Sequence, residues 1–189
     1  MKNIKLISIA LLVLFSFNKG IAQTYKIDAS KSVVNWTGKK ITGQHEGIVL
    51  FKDGSLIFKN KKVAGGNFTV NMKSLSNTDQ TGTSKQKLEG HLRSEDFFSI
   101  DNFPTATLVI KSIADKGNNT YLINADLTIK GITNSNQFDL VIVNANKATA
   151  KLTIDRTKYD IKYGSGSYFD DLGDKTIYDD FELNVVLVY

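Results

Sequence analysis

The 189-residue chain contains no cysteine, a single proline, a single tryptophan and two histidines. Without cysteine there is no disulfide framework, no thiol nucleophile and no thiolate metal centre. His45 and His91 lie far apart and neither shows ligand spacing with a partner, so a zinc site is not expected. One proline among 14 glycines argues against a linker-rich or disordered protein. The longest apolar run, Leu6 to Phe17, is too short for the roughly 20 residues that cross a bilayer, so no transmembrane anchor is expected. Nucleotide-binding glycine fingerprints, a P-loop and a Gly-x-Ser-x-Gly elbow are also missing, and no enzyme activity is indicated.

The apolar run follows Lys2 and Lys5 and precedes the small-residue ending Gly20-Ile21-Ala22. Residues 1–22 therefore read as a cleaved signal peptide, and residues 23–189 as one domain. A short lysine-led leader on a cysteine-free chain points to the bacterial periplasm or to secretion. The formal net charge of +5 falls to +2 once the leader's three lysines are set aside. Nucleic-acid binding then has little electrostatic support, and the lysines are scattered rather than massed in a stripe. About 167 residues remain, enough for one full core.

What is present is alternation. Tyr121, Ile123, Ala125, Leu127 and Ile129 face one way while Asn124, Asp126, Thr128 and Lys130 face the other, and the same period of two runs through most of the chain. Opening strands fall at Tyr25–Asp28 and Val33–Thr37, and a closing strand at Phe181–Tyr189 is placed to pair with the first. Asp53-Gly54, between Ile48–Phe51 and Ser55–Phe58, is the strongest hairpin signal. Gly65-Gly66 precedes a strand with Phe68, Val70 and Met72 on one face. Turns follow at Gly117-Asn118-Asn119 and at Asn144–Lys147. Eight to ten strands of this kind suit an all-β antiparallel barrel, with a β-sandwich as the alternative.

One segment breaks the pattern. Thr83 to Phe98 reads as a helical insert, with capping-box spacing at Thr83 and Gln86, Leu88 and Leu92 on one face, and a Glu89–Arg93 pair on the exposed side. Ser94-Glu95-Asp96 then supplies a second start signal that delivers Phe97 and Phe98 to the interior. Downstream, Asp170, Asp171, Asp174, Asp179 and Asp180 crowd one loop. They lack the spacing of a calcium loop and read as a solvated acidic loop.

Four stretches in order give the chain a resemblance. Ser32-Val-Val-Asn-Trp36, His91-Leu-Arg-Ser-Glu-Asp-Phe-Phe98 with Phe103-Pro104, Ala125–Thr133, and Ile154-Asp-Arg156 together resemble the YceI-like family of lipocalin-like bacterial proteins. The resemblance implies a lipocalin-like barrel that holds an isoprenoid or similar amphiphilic lipid, a quinone or polyprenyl compound, for transport, storage or protection. No cofactor is implied. In the family's helical motif stand His91, Phe97 and Phe98, and in its Asp-Leu-Thr strand Leu127. Alternation adds Phe68, Met72 and Ile129, so the expected ligand-binding set is Phe68, Met72, His91, Phe97, Phe98, Leu127 and Ile129. Leu88-Glu89 stands where the family often has an Arg-Asp pair, which removes one basic headgroup contact. The competing expectation is an envelope stress or structural protein with a filled barrel that meets a protein partner through its surface. A homodimer is a further option, since isologous pairs are the commonest assemblies.

Overall fold

The computed structural model describes residues 21–189. The expected leader, residues 1–22, lies outside the described residues apart from Ile21 and Ala22. Nine strands form one antiparallel sheet: β1 (Ala22–Lys26), β2 (Val33–Lys40), β3 (Gly43–Lys59), β4 (Lys62–Asn77), β5 (Thr105–Gly117), β6 (Thr120–Ile129), β7 (Ile132–Asn144), β8 (Lys147–Asp155) and β9 (Ile177–Val188). From β2 to β9 each strand pairs with the next, and β9 returns to pair with β2 from Val33↔Val186 to Lys40↔Ile177. Eight strands thus close an up-and-down barrel, and no sandwich forms.

Closure differs in one detail from expectation. The last strand meets the second opening strand, while β1 extends the same edge of β3 further along, Ala22↔Lys59 to Lys26↔Ser55. Seventeen residues make β3 long enough to carry two partners end to end on one side.

The expected hairpin at Asp53-Gly54 is not a turn, because both residues lie inside β3. The register against β4 shifts between Phe51 and Asp53, so the pair marks a bulge. Glycine is needed there for another reason: a Cβ on Gly54 would stand 2.6 Å from Phe68 Cδ1. Chain reversal occurs instead at Asn60-Lys61, both with positive φ, as at Asn118-Asn119 and Lys130-Gly131. Gly65 and Gly66 likewise sit within β4 rather than before it.

In β6 the alternation is complete, with Tyr121, Ile123, Ala125, Leu127 and Ile129 buried and their neighbours partly exposed. Apolar side chains face in and polar ones out, the reverse of a barrel that spans a bilayer. No helix among the described residues is long and apolar enough to cross a membrane.

The two ends of the barrel are built differently. At one end Tyr25, Phe58 and Tyr189 pack ring against ring at 5.4–5.8 Å. At the other lies the single helix, α1 (Gly82–Arg93), followed by the turns that carry Phe97 and Phe98. The helix starts earlier than the Thr83 capping box predicts, since Thr81 is the extended residue before it and no side chain caps it. Glu89 is not on the exposed side. It accepts from Asn77 N–H at 2.8 Å and Ser76 Oγ at 3.0 Å, while Arg93 Nη2 donates to Leu75 O at 2.6 Å. These bonds hold α1 against the end of β4, and the Glu89–Arg93 approach of 4.0 Å is secondary.

Candidate functional site

The inward faces of the eight strands do not meet. They enclose an almost wholly apolar cavity of about 240 Å³, counted as room for the centre of a water molecule; the empty space between its walls, mouth included, is about 1630 Å³. A void this large persists only where the strand circuit holds the walls apart, since a core free to collapse would recover the lost packing.

Six of the seven sequence-selected residues line it: Phe68 and Met72 from β4, Phe97 and Phe98 from the turn after α1, and Leu127 and Ile129 from β6. His91 does not. Its ring lies edge-on to Phe97 at 4.9 Å and to Tyr163 at 4.4 Å, with Nε2 4.0 Å from Asp96 Oδ2. Helix geometry explains this, since Leu88 and Leu92 share the cavity-facing side and His91, one residue before Leu92, is turned about 100° from it. Among the described residues the polar neighbour of the imidazole is the exposed Asp96 carboxylate.

Residues that the sequence reading passed over complete the wall. Trp36 continues the inward stripe of Val34 in β2, and its ring lies where a Cβ on Gly47 would stand, 2.3 Å from Trp36 Cζ2. Phe181, Leu183, Val185 and Leu187 supply the matching stripe from β9. Both follow the period of two and were legible.

The ionisable side chains of the lining, Lys39, Lys40, His45, Arg156, Tyr178 and Asp180, gather at the helix end. His45 Nδ1 lies 2.9 Å from Asp79 Oδ2, whose other oxygen accepts from Glu46 N–H at 2.8 Å. Burial alone would raise the Asp79 carboxyl, but the Glu46 amide, His45 and Asn77 outweigh it and hold the pKa down to about 2. This cluster fixes the approach to α1 onto the rim of β3.

Arg156 is the one buried cation among the described residues, 3% exposed. Its guanidinium donates to Ile161 O at 2.7 Å, Ile177 O at 2.9 Å and Tyr178 O at 3.1 Å, and Nη2 lies 3.5 Å from Asp179 Oδ1. Burial lowers its pKa below the ordinary arginine value, while Asp179 and Asp155 oppose that shift. Its fork is spent on carbonyls that would otherwise be orphaned, and its Cζ sits 5.8 Å over the Phe97 ring. Arg156 thus seats the loop after β8 and, through Phe97, part of the cavity wall. Asp179 belongs to this arrangement, which corrects the reading of the acidic loop as wholly solvated. Asp170, Asp171, Asp174 and Asp180 are exposed.

No group of three or more potential metal ligands occurs among the described residues.

Known proteins agree with this architecture. BcnA of Burkholderia cenocepacia superposes with a TM-score of 0.67 at 25% identity, over 86% of this chain and 99% of that one. A polyisoprenoid binding domain from Saccharophagus degradans superposes at 0.57 and 16% identity, over 89% and 97%. In sequence, a UPF0312 protein of Shewanella denitrificans is 38% identical over 81 residues, and one of Staphylococcus aureus 34% over 91. Each alignment takes in 43% of this chain and 40% or 50% of the relative, so the match spans half or less of the curated relatives' length. The sequence pattern of the YceI-like domain matches residues 25–189, the whole barrel from β1 to β9, and the chain belongs to the YceI-like family.

Proposed function

We propose that this protein binds a long-chain isoprenoid or similar amphiphilic lipid, with the tail inside the barrel and the headgroup at the helix end. The observation that carries the reading is the hollow interior: an apolar cavity is lined along its length by stripes such as Phe181, Leu183, Val185 and Leu187 in β9, and its ionisable groups gather at one rim. Each methylene transferred from water to such a wall contributes about 0.8 kcal/mol, so a tail of many carbons has ample driving force before ordering costs are subtracted. A quinone or a polyprenyl compound fits this division of apolar length and polar end. The polyisoprenoid binding domain named above shares the fold. The hollow interior weighs against a filled barrel that works only through its surface.

The cysteine-free chain and its lysine-led leader support a place in the periplasm or outside the cell, where such a carrier would move, store or protect a lipid that water cannot hold. Native mass spectrometry with lipid extraction, on protein recovered from its own cell envelope, tests the reading. A stoichiometric species with an isoprenoid mass ladder is expected. Protein that carries no lipid and takes up neither quinones nor polyprenyl phosphates in titration would overturn it. Trp36, the only tryptophan of the chain, lines the cavity and reports such titrations through its emission.

A further inference from the structure

The internal cavity meets the surface beside Gly38. Four of its lining residues are exposed, Lys39, Lys40, Tyr178 and Asp180, and all four flank the same seam between β2 and β9. Up to that point the two strands pair residue for residue, from Val33↔Val186 to Gly38↔Phe181. The next pair is Lys40↔Ile177, so Lys39 alone stands opposite three residues, Tyr178, Asp179 and Asp180, and β9 bulges. The bulge is held from behind. Arg156, which follows β8, donates to the carbonyls of Ile177 at 2.9 Å and Tyr178 at 3.1 Å, and Ser167 Oγ donates to Asp179 Oδ2 at 2.6 Å.

Gly38 stands at the edge of this irregularity. It continues the inward stripe of Val34 and Trp36, and pairs with His45 on one side and Phe181 on the other. A Cβ there would meet nothing within 4 Å, whereas a Cβ at Gly47, two residues beyond His45 on β3, would run into Trp36 Cζ2 at 2.3 Å. One glycine is filled by a neighbour; the other leaves an open space between the lip and the cavity. Behind it Phe181 meets Phe98 edge-on at 6.4 Å, and both rings line the cavity. The axial route is roofed. Leu88 and Leu92 of α1 line the cavity, and the helix is bonded to β4 through Glu89 and Arg93.

We propose that a lipid enters the cavity sideways, through the β2–β9 seam at Gly38, and that its headgroup stays in the seam against Lys40 and Tyr178. The inference rests on the lipid-binding reading above. Lys39 is engaged by Glu182 at 2.7 Å and His45 by Asp79 at 2.9 Å, while Lys40 forms no ion pair among the described residues. Its ammonium and the exposed Tyr178 hydroxyl can both donate to an oxygen of the head. Gly38 sets what can pass: a side chain at this position would narrow the throat for a tail that carries a methyl branch on every isoprene unit.

The chain has no cysteine, so Gly38→Cys supplies a single thiol at the seam. Uptake of a radiolabelled polyprenyl phosphate of eight isoprene units, and of a quinone with the same tail, is measured before and after that thiol carries fluorescein maleimide. The label is expected to slow uptake at least tenfold, and lipid loaded beforehand is expected to slow labelling at least tenfold. Gly90→Cys, at an exposed position on α1, takes the same label, and there uptake is expected to change less than twofold. Equal uptake with and without the label at the seam would overturn the entrance, as would an equal loss from the label on α1 or a seam thiol that does not react in lipid-free protein. Undiminished labelling of lipid-loaded protein would overturn the seat of the headgroup. Lys40→Cys, exposed on the same lip, repeats the comparison if Gly38→Cys does not fold. Unaltered protein that takes up neither lipid would instead remove the lipid-binding reading.

Discussion

Gly47→Ala bears on both the barrel wall and the cavity. Gly47 pairs with Trp36 on one side and Asn77 on the other, and a Cβ there would stand 2.0 Å from Ser76 O and 2.3 Å from Trp36 Cζ2. The carbonyl belongs to a paired strand and cannot swing aside, so β4 must shift or the indole must leave its place. Overpacking of this kind costs about 3 kcal/mol at the upper end of the usual range. That is roughly a 150-fold fall in the folding constant, and with a urea slope of roughly 2 kcal/mol/M it moves the midpoint down by ~1.5 M. Urea titration followed by Trp36 emission measures the stability and the indole's surroundings together. Gly90→Ala is the control, because nothing stands within 4 Å of a Cβ at that helical position, and alanine there is expected to stabilise by about 0.5–1 kcal/mol. If Gly47→Ala loses less than about 0.5 kcal/mol and leaves the emission unchanged, the close approach of β3, β4 and Trp36 is wrong.

Other expectations concern the rim and the cavity. Arg156→Met should cost about 3–5 kcal/mol in denaturant titration, because it strands three carbonyls and Asp179 at once; a near-neutral result would mean that water replaces the fork. The Asp79 carboxyl is held at about 2 against an ordinary 3.8. A lowered folded-state pKa contributes stability above the unfolded value and loses it as pH falls from about 4 towards 2. Urea midpoints at pH 5 and pH 2.5 should therefore differ less in Asp79→Asn than in the parent, and an equal difference would count against the His45–Asp79–Glu46 cluster. Ala150→Phe places a ring into the cavity its methyl group borders: lipid binding should fall at least tenfold with little change in the urea midpoint, whereas loss of folding would show that the space is already occupied.

Much of the fold was legible in the sequence, because alternation reports which face of a strand is dry. In β6 every second residue is buried as its polarity demands, and the same rule points to Phe68, Met72, Leu127 and Ile129. Turns were less legible. Asp53-Gly54 has the composition of a hairpin, yet the glycine serves a contact with Phe68 inside a strand, and the real reversal at Asn60-Lys61 carries no glycine. Position along a helix misled in the same way. Glu89 and Arg93 have the spacing of a surface pair, but β4 offers an amide, a hydroxyl and a carbonyl that bind them more directly. His91 stood in the right motif, and only three dimensions reveal that Phe97 separates it from the interior. Arg156 gave no sign of burial, since its partners are backbone carbonyls that every sequence possesses.

The pairing of β9 with β2 has a consequence for how the molecule is made. Ser32 Oγ accepts from the Val188 amide at 2.9 Å across 156 residues of chain, so the circuit joins some of the first residues of the barrel to some of the last. Until β9 has been synthesised, β2 and β8 are both free edges and every inward stripe of the growing sheet is open to water. Closure is then a late, long-range event that makes folding slow for a domain of this size. Ribosome-stalled or truncated chains ending before Ile177 should pair readily with one another and aggregate, while a circular permutant that joins β9 to β2 through a short linker should fold faster than the parent.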